Sequence, residues 1–573
     1  MSDAPAYSNF VIDRNDLPDG VEIFGNGEVG GKARGIIYSM DALRRGHIKG
    51  DYLDLVKFPR SYVLTSEYFD DYIDLNYLND IVSDKCREIL SIKEMRQKFI
   101  KGDLPENLLN VLYTILEKES GPLIVRSSSI LEDSLEYSFA GIYDSFFTPN
   151  RGTLEHRVNT LEQTVKMVYA STFGNNAKEY RKRHKIPWQR EKMALVIENV
   201  IGREQKDDYY YPFMAGVSFS RNYYPWNPRI RMEDGVGRLV LGFGTRAVGR
   251  DYARVFSLSN PSLRPEGSVL NEIVRYSQKK MDVINLSTEE FRTEAIDDIK
   301  HTSSTIYLAC STLKDNQYLE PTSRHISEGD RLLPTFDRLL KSDRYYPFVS
   351  LMRELLTSLE GHFGVPIDIE FAFDMDDDMN GSFYLLQARP IVNRPELRKV
   401  KIPELDDKTV IVKSGNVLGN GSREGIKHIV YVSPETYSLE NAYSIAREIG
   451  KLNEILDKDQ YILVGPGRWG TSTPELGVPV NYSEISNAAV IVELSTGTSG
   501  PEFSYGTHFF GDITATNTLY IPVYMNKGGF LNTEFFDKQA NKYGSEILKL
   551  VTLDEGFNVY VSAENGIGVI IKK

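Results

Sequence analysis

Between a short apolar strand, Val21 to Phe24, and an amphipathic helix stands the run Gly25-Asn26-Gly27-Glu28-Val29-Gly30-Gly31-Lys32. So many glycines at a strand-to-helix junction mark a tight turn that lets other groups approach the backbone. Ala33, Ile36, Ile37, Met40 and Leu43 then fall on one helical face, and Gly46 is placed to end the helix. The next strand, Ser61 to Thr65, leads into a second helix with Ser66 as its N-cap. Gly25, Gly27 and Gly30 spell a dinucleotide fingerprint, but the Ser61–Thr65 strand offers no acid for a ribose hydroxyl. A Walker loop fails as well, because Asn26 stands at its first glycine and Ala33 at its Ser/Thr. Two readings remain open: backbone N–H groups and Lys32 facing phosphate, or a plain turn with a solvated lysine.

Composition narrows the field. The chain has 573 residues, enough for roughly two to four domains, with globular proportions of apolar and charged residues. A net charge of -13 disfavours nucleic acid or anionic lipid as partners, so an anionic small molecule needs a local basic pocket. Cys86 and Cys310 are too few for a disulfide framework or a thiolate zinc site, which fits a reducing cytoplasm. The N-terminus does not read as a signal peptide, and no stretch approaches the ~18 apolar residues of a spanning helix. The expectation is a soluble cytoplasmic protein.

Three further segments hold candidate chemistry. Leu123 to Arg126 reads as a buried strand opening a serine-rich loop, Ser127 to Ser129. Arg126 there is suited either to grip phosphate oxygens or to pair with Glu132 or Asp133. Ile367 to Phe373 alternates strictly, with Asp368 and Glu370 opposite an apolar face. An acidic turn ending Asn380-Gly381 leads to the partner strand Phe383 to Val392, where Gln387 and Arg389 share a face. Paired carboxylates of this kind suit Mg²⁺ with nucleotide phosphates, or simply a half-exposed hairpin. Asp376, Asp378, Asn380 and Gly381 mimic a calcium loop, but Gln387 replaces its closing glutamate and both flanks are strands. Elsewhere, Ala194–Val200, Met214–Ser220 and Arg238–Gly242 read as strands and Leu270 to Leu359 as mainly helical. A proline-punctuated linker follows from Arg394 to Asp406, then a separate α/β unit with strands at Ala489–Leu494 and Leu519–Met525.

Taken together, four segments resemble the ATP-binding domain of phosphoenolpyruvate synthase and pyruvate phosphate dikinase. They are Gly30-Gly31-Lys32-Ala33; Val125-Arg126-Ser127-Ser128 with Glu132-Asp133, Ser138-Phe139-Ala140-Gly141 and Phe146; Val168 to Arg181; and Asp368-Ile369-Glu370 with Leu386-Gln387-Ala388-Arg389-Pro390. The resemblance covers about residues 15 to 395. It implies an α+β fold: an ATP-grasp-type nucleotide domain over 1–395, in two subdomains, followed by a smaller C-terminal α/β domain over 396–573. It implies ATP and Mg²⁺ as cofactors, with Lys32, Arg126 and Arg389 on phosphates, Asp368 and Glu370 on the metal, and Arg126 and Gln387 at the reacting phosphates. Glu198 and Val200 fall in the segment resembling the adenine hinge, although Glu198 stands where a glutamine is usual. Thr245, after Gly242-Phe243-Gly244, stands where the family usually has glutamate.

Family members continue with a phosphohistidine domain and a barrel. About 170 residues remain here, fewer than the ~250 of a barrel. Thr496 to Gly500 and Gly506-Thr507-His508 keep the order strand, glycine loop, histidine, so His508 is either the phosphoacceptor or a capping or core histidine. Gly465-Pro466-Gly467-Arg468-Trp469-Gly470 fits a ligand loop or a turn packed by Trp469 equally well. The function implied is a dikinase-type phosphotransferase acting on a small-molecule or protein acceptor, with homo-oligomerisation left open. The alternative is a catalytically silent ATP-binding regulatory or scaffold protein.

Overall fold

A computed structural model describes residues 6–48, 50–79, 91–132, 142–183, 186–187, 190–222, 232–248, 252–265, 267–391, 400–415, 417, 420–456, 459–471, 474–495, 518–543, 545, 547–562 and 565–573. The chain divides into two units, one drawn mainly from Met1–Asn222 and Tyr252–Ile391, the other mainly from Val392–Lys573. Both mix strands and helices, an α+β architecture.

In the first unit a five-stranded sheet has the order Val21–Phe24, Ser61–Leu64, Met193–Asn199, Leu123–Ser129, Ser145–Thr148. The helix Gly30–Arg44 packs Ala33, Ile36, Ile37 and Met40 on Val21, Val63 and Val196 of that sheet. Its Tyr38 and Ala42 belong instead to the main core, so one helix ties the two together. That core lies beside a six-stranded sheet ordered Arg254–Ser257, Val236–Leu241, Met214–Phe219, Ile367–Met375, Gly381–Pro390, Val56–Lys57. Ile367, Ile369, Phe371 and Phe373 enter it and meet Phe348, Leu351, Leu355 and Leu359 of the helix Phe348–Phe363. Gly35 makes the close contact between the helix and the hairpin: a Cβ there would lie 2.4 Å from the Ala388 carbonyl oxygen.

Three readings need correction. Ser127, Ser128 and Ser129 continue the strand Leu123–Ser129 and are buried. Their hydroxyls serve as internal hydrogen-bonding groups, so a serine run that reads as loop is compatible with burial. Ser66 makes no side-chain cap; its hydroxyl accepts the Glu28 N–H at 3.1 Å and so fixes the glycine loop. Residues 270–359 are not mainly helical: strands Lys280–Asn285, Glu290–Ala295, Cys310–Lys314, Tyr318–Pro321 and Arg331–Pro334 occupy much of the span. In the acidic turn, Asn380 donates its N–H and its amide to the two Asp376 carboxylate oxygens at 2.7 and 2.9 Å, which occupies that carboxylate internally.

The second unit is built on an eight-stranded sheet ordered Leu519–Tyr524, Ala488–Ser495, Tyr461–Pro466, Asn420–Val432, Leu548–Ser562, Ile567–Lys572, Val410–Ser414, Phe530–Leu531. Its first four strands run parallel. Trp469 is fully buried, donating its ring N–H to the Val492 carbonyl at 3.0 Å and its backbone N–H to Glu493 at 2.9 Å. A Cβ on Gly465 would meet that indole at 2.6 Å, so the glycine makes room for it.

Candidate active site

Helix Gly30–Arg44 begins at a residue with φ of +76°, and a Cβ on Gly30 would overlap the Ser128 carbonyl at 1.6 Å, so only glycine fits there. The Ser128 hydroxyl donates to the Val29 carbonyl at 2.8 Å and accepts the Ala33 N–H at 3.1 Å, joining the serine strand to the helix start. That junction buries Lys32, whose ammonium lies 3.0 Å from Glu132 Oε1 and 3.4 Å from the Ser127 hydroxyl. The solvated-lysine reading is therefore excluded.

Arg126 projects from the serine strand into the hairpin of the second sheet. Its Nη2 donates to Glu370 Oε2 at 2.8 Å and to Gln387 Oε1 at 2.7 Å; its Nη1 donates to the Leu386 carbonyl at 3.2 Å and to Glu198 Oε2 at 3.4 Å. The Leu386 carbonyl is presented by a bulge: Glu370 pairs with Gln387 but Phe371 pairs with Leu385, which leaves Leu386 extra. Asp368 stands opposite Arg389 in the same ladder, and Arg389 Nε donates to it at 2.6 Å. The structure thus brings Arg126, Glu370 and Gln387 into one network, with the Asp368–Arg389 pair on the adjoining ladder row. Arg126 is paired, but with Glu370 and Glu198; Glu132 goes to Lys32.

Glu198 and Val200, the residues of the segment resembling the adenine hinge, have their polar groups engaged within the protein. The Glu198 carboxylate is buried against Arg126 and accepts the Ser61 hydroxyl at 3.1 Å. Val200 donates its N–H to the Pro122 carbonyl and accepts the Tyr210 hydroxyl, at 2.9 and 2.8 Å, so its backbone groups are already engaged. Burial pushes the Glu198 carboxyl above its usual range, against the pull of Arg126. Burial alone would lower the Arg126 pKa, but Glu370 and Glu198 more than offset this and keep the guanidinium charged.

As chemistry, the donor set suits a hard divalent cation and a polyphosphate. Two carboxylates two residues apart, with an amide oxygen opposite, are the oxygen ligands Mg²⁺ takes when phosphates and water complete its shell. Among the described residues there is no three-ligand His, Cys, Asp or Glu cluster that would hold a metal by itself.

Comparison of the whole sequence with known proteins gives the family. Residues 26–409, more than half of the chain, match the family model described as pyruvate phosphate dikinase, AMP/ATP-binding domain. The chain belongs to that family. Relatives include a probable phosphoenolpyruvate synthase of Methanocaldococcus jannaschii, 22% identical over 65% of this chain and 27% of its own length. The phosphoenolpyruvate synthase of Aeropyrum pernix is 23% identical over 69% of this chain and 44% of its own length. That of Escherichia coli is 20% identical over 67% and 44% respectively. The chain therefore spans less than half the length of these relatives.

Within this dikinase-family AMP/ATP-binding domain, Thr245 donates to Asp282 Oδ2 at 2.6 Å, and Arg246 and Thr293 hold the other oxygen of Asp282 at 3.1 and 2.6 Å. Arg238, which no sequence motif marks, is a buried arginine directly opposite Val217, which in turn pairs with Glu370. Its signal is a lone cation in the apolar strand Val236–Leu241. Asp133, His508 and the stretch 496–507 lie outside the described residues. No described helix is long and apolar enough to cross a membrane.

Proposed function

We propose that the chain is an ATP- and Mg²⁺-dependent phosphotransferase of the dikinase type, with an ATP-grasp-type nucleotide domain in its first 395 residues. The observation that supports this most is Arg126, one guanidinium from the first sheet meeting Glu370 and Gln387 of the second in a family of AMP/ATP-binding domains. Lys32, Arg126 and Arg389 neutralise the phosphates, Gln387 orients them, and Asp368 and Glu370 hold the cation. Positioning and charge neutralisation are what phosphoryl transfer chiefly requires. Mg²⁺ when bound supplies further neutralisation of the polyphosphate. Residues 396–573 are proposed as the α/β unit that receives or relays phosphate, with His508 as acceptor before a small molecule or another chain.

Product analysis tests the reading. The dikinase reaction yields AMP and, with β-labelled ATP, an acid-labile and base-stable label on the protein that His508→Asn removes. Label that persists in His508→Asn excludes that acceptor. Binding of ATP without consumption favours the silent regulatory reading, for which Thr245 in place of a glutamate is the supporting observation.

A further inference from the structure

In this structure each cation assigned to phosphate already has a carboxylate: Lys32 has Glu132, Arg126 has Glu370 and Glu198, and Arg389 has Asp368. Two of these carboxylates, Asp368 and Glu370, are the ones assigned to the divalent cation. They are held by guanidinium nitrogens at 2.6 and 2.8 Å, and Asp368 is buried while Glu370 is half-buried. A divalent ion entering beside either guanidinium would meet a like charge at close range, which opposes its binding. A polyphosphate removes that conflict, because guanidinium groups bind phosphate oxygens as readily as carboxylates.

We propose that Arg126 and Arg389 are the resident counter-ions of the cation site, each closing one of its two carboxylates until a polyphosphate draws the guanidinium away. Divalent cation and nucleotide then enter as a coupled pair, and neither binds well alone. The inference rests on the nucleotide reading for its second partner, but its first half concerns the chain without nucleotide. Arg126 is suited to the exchange because its Nη1 side keeps Glu198 and the Leu386 carbonyl while its Nη2 side turns from Glu370 to phosphate. Coupling is reciprocal, so the cation raises nucleotide affinity by the factor by which nucleotide raises that of the cation.

The test uses Mn²⁺ as probe, followed by its paramagnetic resonance signal in the full chain. Without nucleotide the parent is expected to bind Mn²⁺ weakly, and a non-hydrolysable ATP analogue should tighten it tenfold or more. Two variants remove a counter-ion. Arg126→Gln paired with Glu198→Gln keeps the buried charge balanced, and Arg389→Gln acts on the other carboxylate. Either should bind Mn²⁺ without nucleotide about tenfold more tightly than the parent, the reverse of what loss of a binding-site residue ordinarily does. A melting curve accompanies each, and Arg389→Gln keeps the proposal open to refutation if the Arg126 variant does not fold. Mn²⁺ affinity unchanged or weakened in folded variants would overturn the proposal, as would an analogue that leaves parental Mn²⁺ affinity unaltered while itself binding. The variant arm is read with no nucleotide present, so it decides the counter-ion half of the proposal even if the nucleotide reading fails, a failure that would show separately as no analogue binding to the parent.

Discussion

The Lys32 ammonium sits 3.0 Å from Glu132 Oε1, and both side chains are almost wholly buried. Breaking such a pair leaves a charge without its partner inside the protein, whereas removing both charges need not destabilise. Glu132→Ala is expected to cost about 3 kcal/mol or more. The double variant Lys32→Met, Glu132→Leu should melt close to the parent. On the proposed reading ATP with Mg²⁺ should raise the melting temperature of the parent through mass action, and Lys32→Ala should lose that rise. Differential scanning calorimetry with and without ATP separates the two effects.

Gly35 gives a test whose sign decides. In an ordinary exposed helix, Gly→Ala gains about 1 kcal/mol. Here the new Cβ would press on the Ala388 carbonyl oxygen at 2.4 Å, so Gly35→Ala should destabilise instead. Urea denaturation reads the sign, and a gain in stability would mean that helix and hairpin do not meet at this point.

Glu198 makes stability depend on pH. Its carboxyl is pushed above the ordinary glutamate value of 4.5 because burial penalises the anion. A raised folded-state value means that the favourable contribution is complete below that ordinary value and is lost as pH rises through the folded one. Glu198→Gln stays neutral throughout. The melting temperature of Glu198→Gln relative to the parent should therefore climb as pH is raised from about 4 toward 7. A difference independent of pH would show that Glu198 is not held in this environment.

Much of this was legible where one residue pattern determined the outcome. The alternation from Ile367 to Phe373 was enough to place Asp368 and Glu370 on one face, and the ladder sets them opposite Arg389 and Gln387. The helix face Ala33, Ile36, Ile37, Met40 and Leu43 was equally plain; its first four residues pack on the sheet, whereas Leu43 packs against the main core. The strands between residues 270 and 359 were not, because Glu290–Ala295 and Tyr318–Pro321 are largely solvent-facing and carry no buried alternation. The site's wiring was hidden for another reason. Lys32 finds Glu132 100 positions along the chain, and Arg126 finds Glu370 244 positions away, so no local pattern records either pair. The bulge at Leu386 likewise exists only in the pairing of two strands.

The central claim is that Lys32, Arg126, Asp368, Glu370 and Gln387 form one site for a nucleotide polyphosphate and a divalent cation. Titration calorimetry with a non-hydrolysable ATP analogue tests it most directly, run with Mg²⁺ on the parent and on Glu370→Gln, and without Mg²⁺ on the parent. The account predicts saturable binding to the parent that weakens at least tenfold when Mg²⁺ is omitted or Glu370 is changed. Equal affinity in all three titrations, or no binding to the parent, would contradict it.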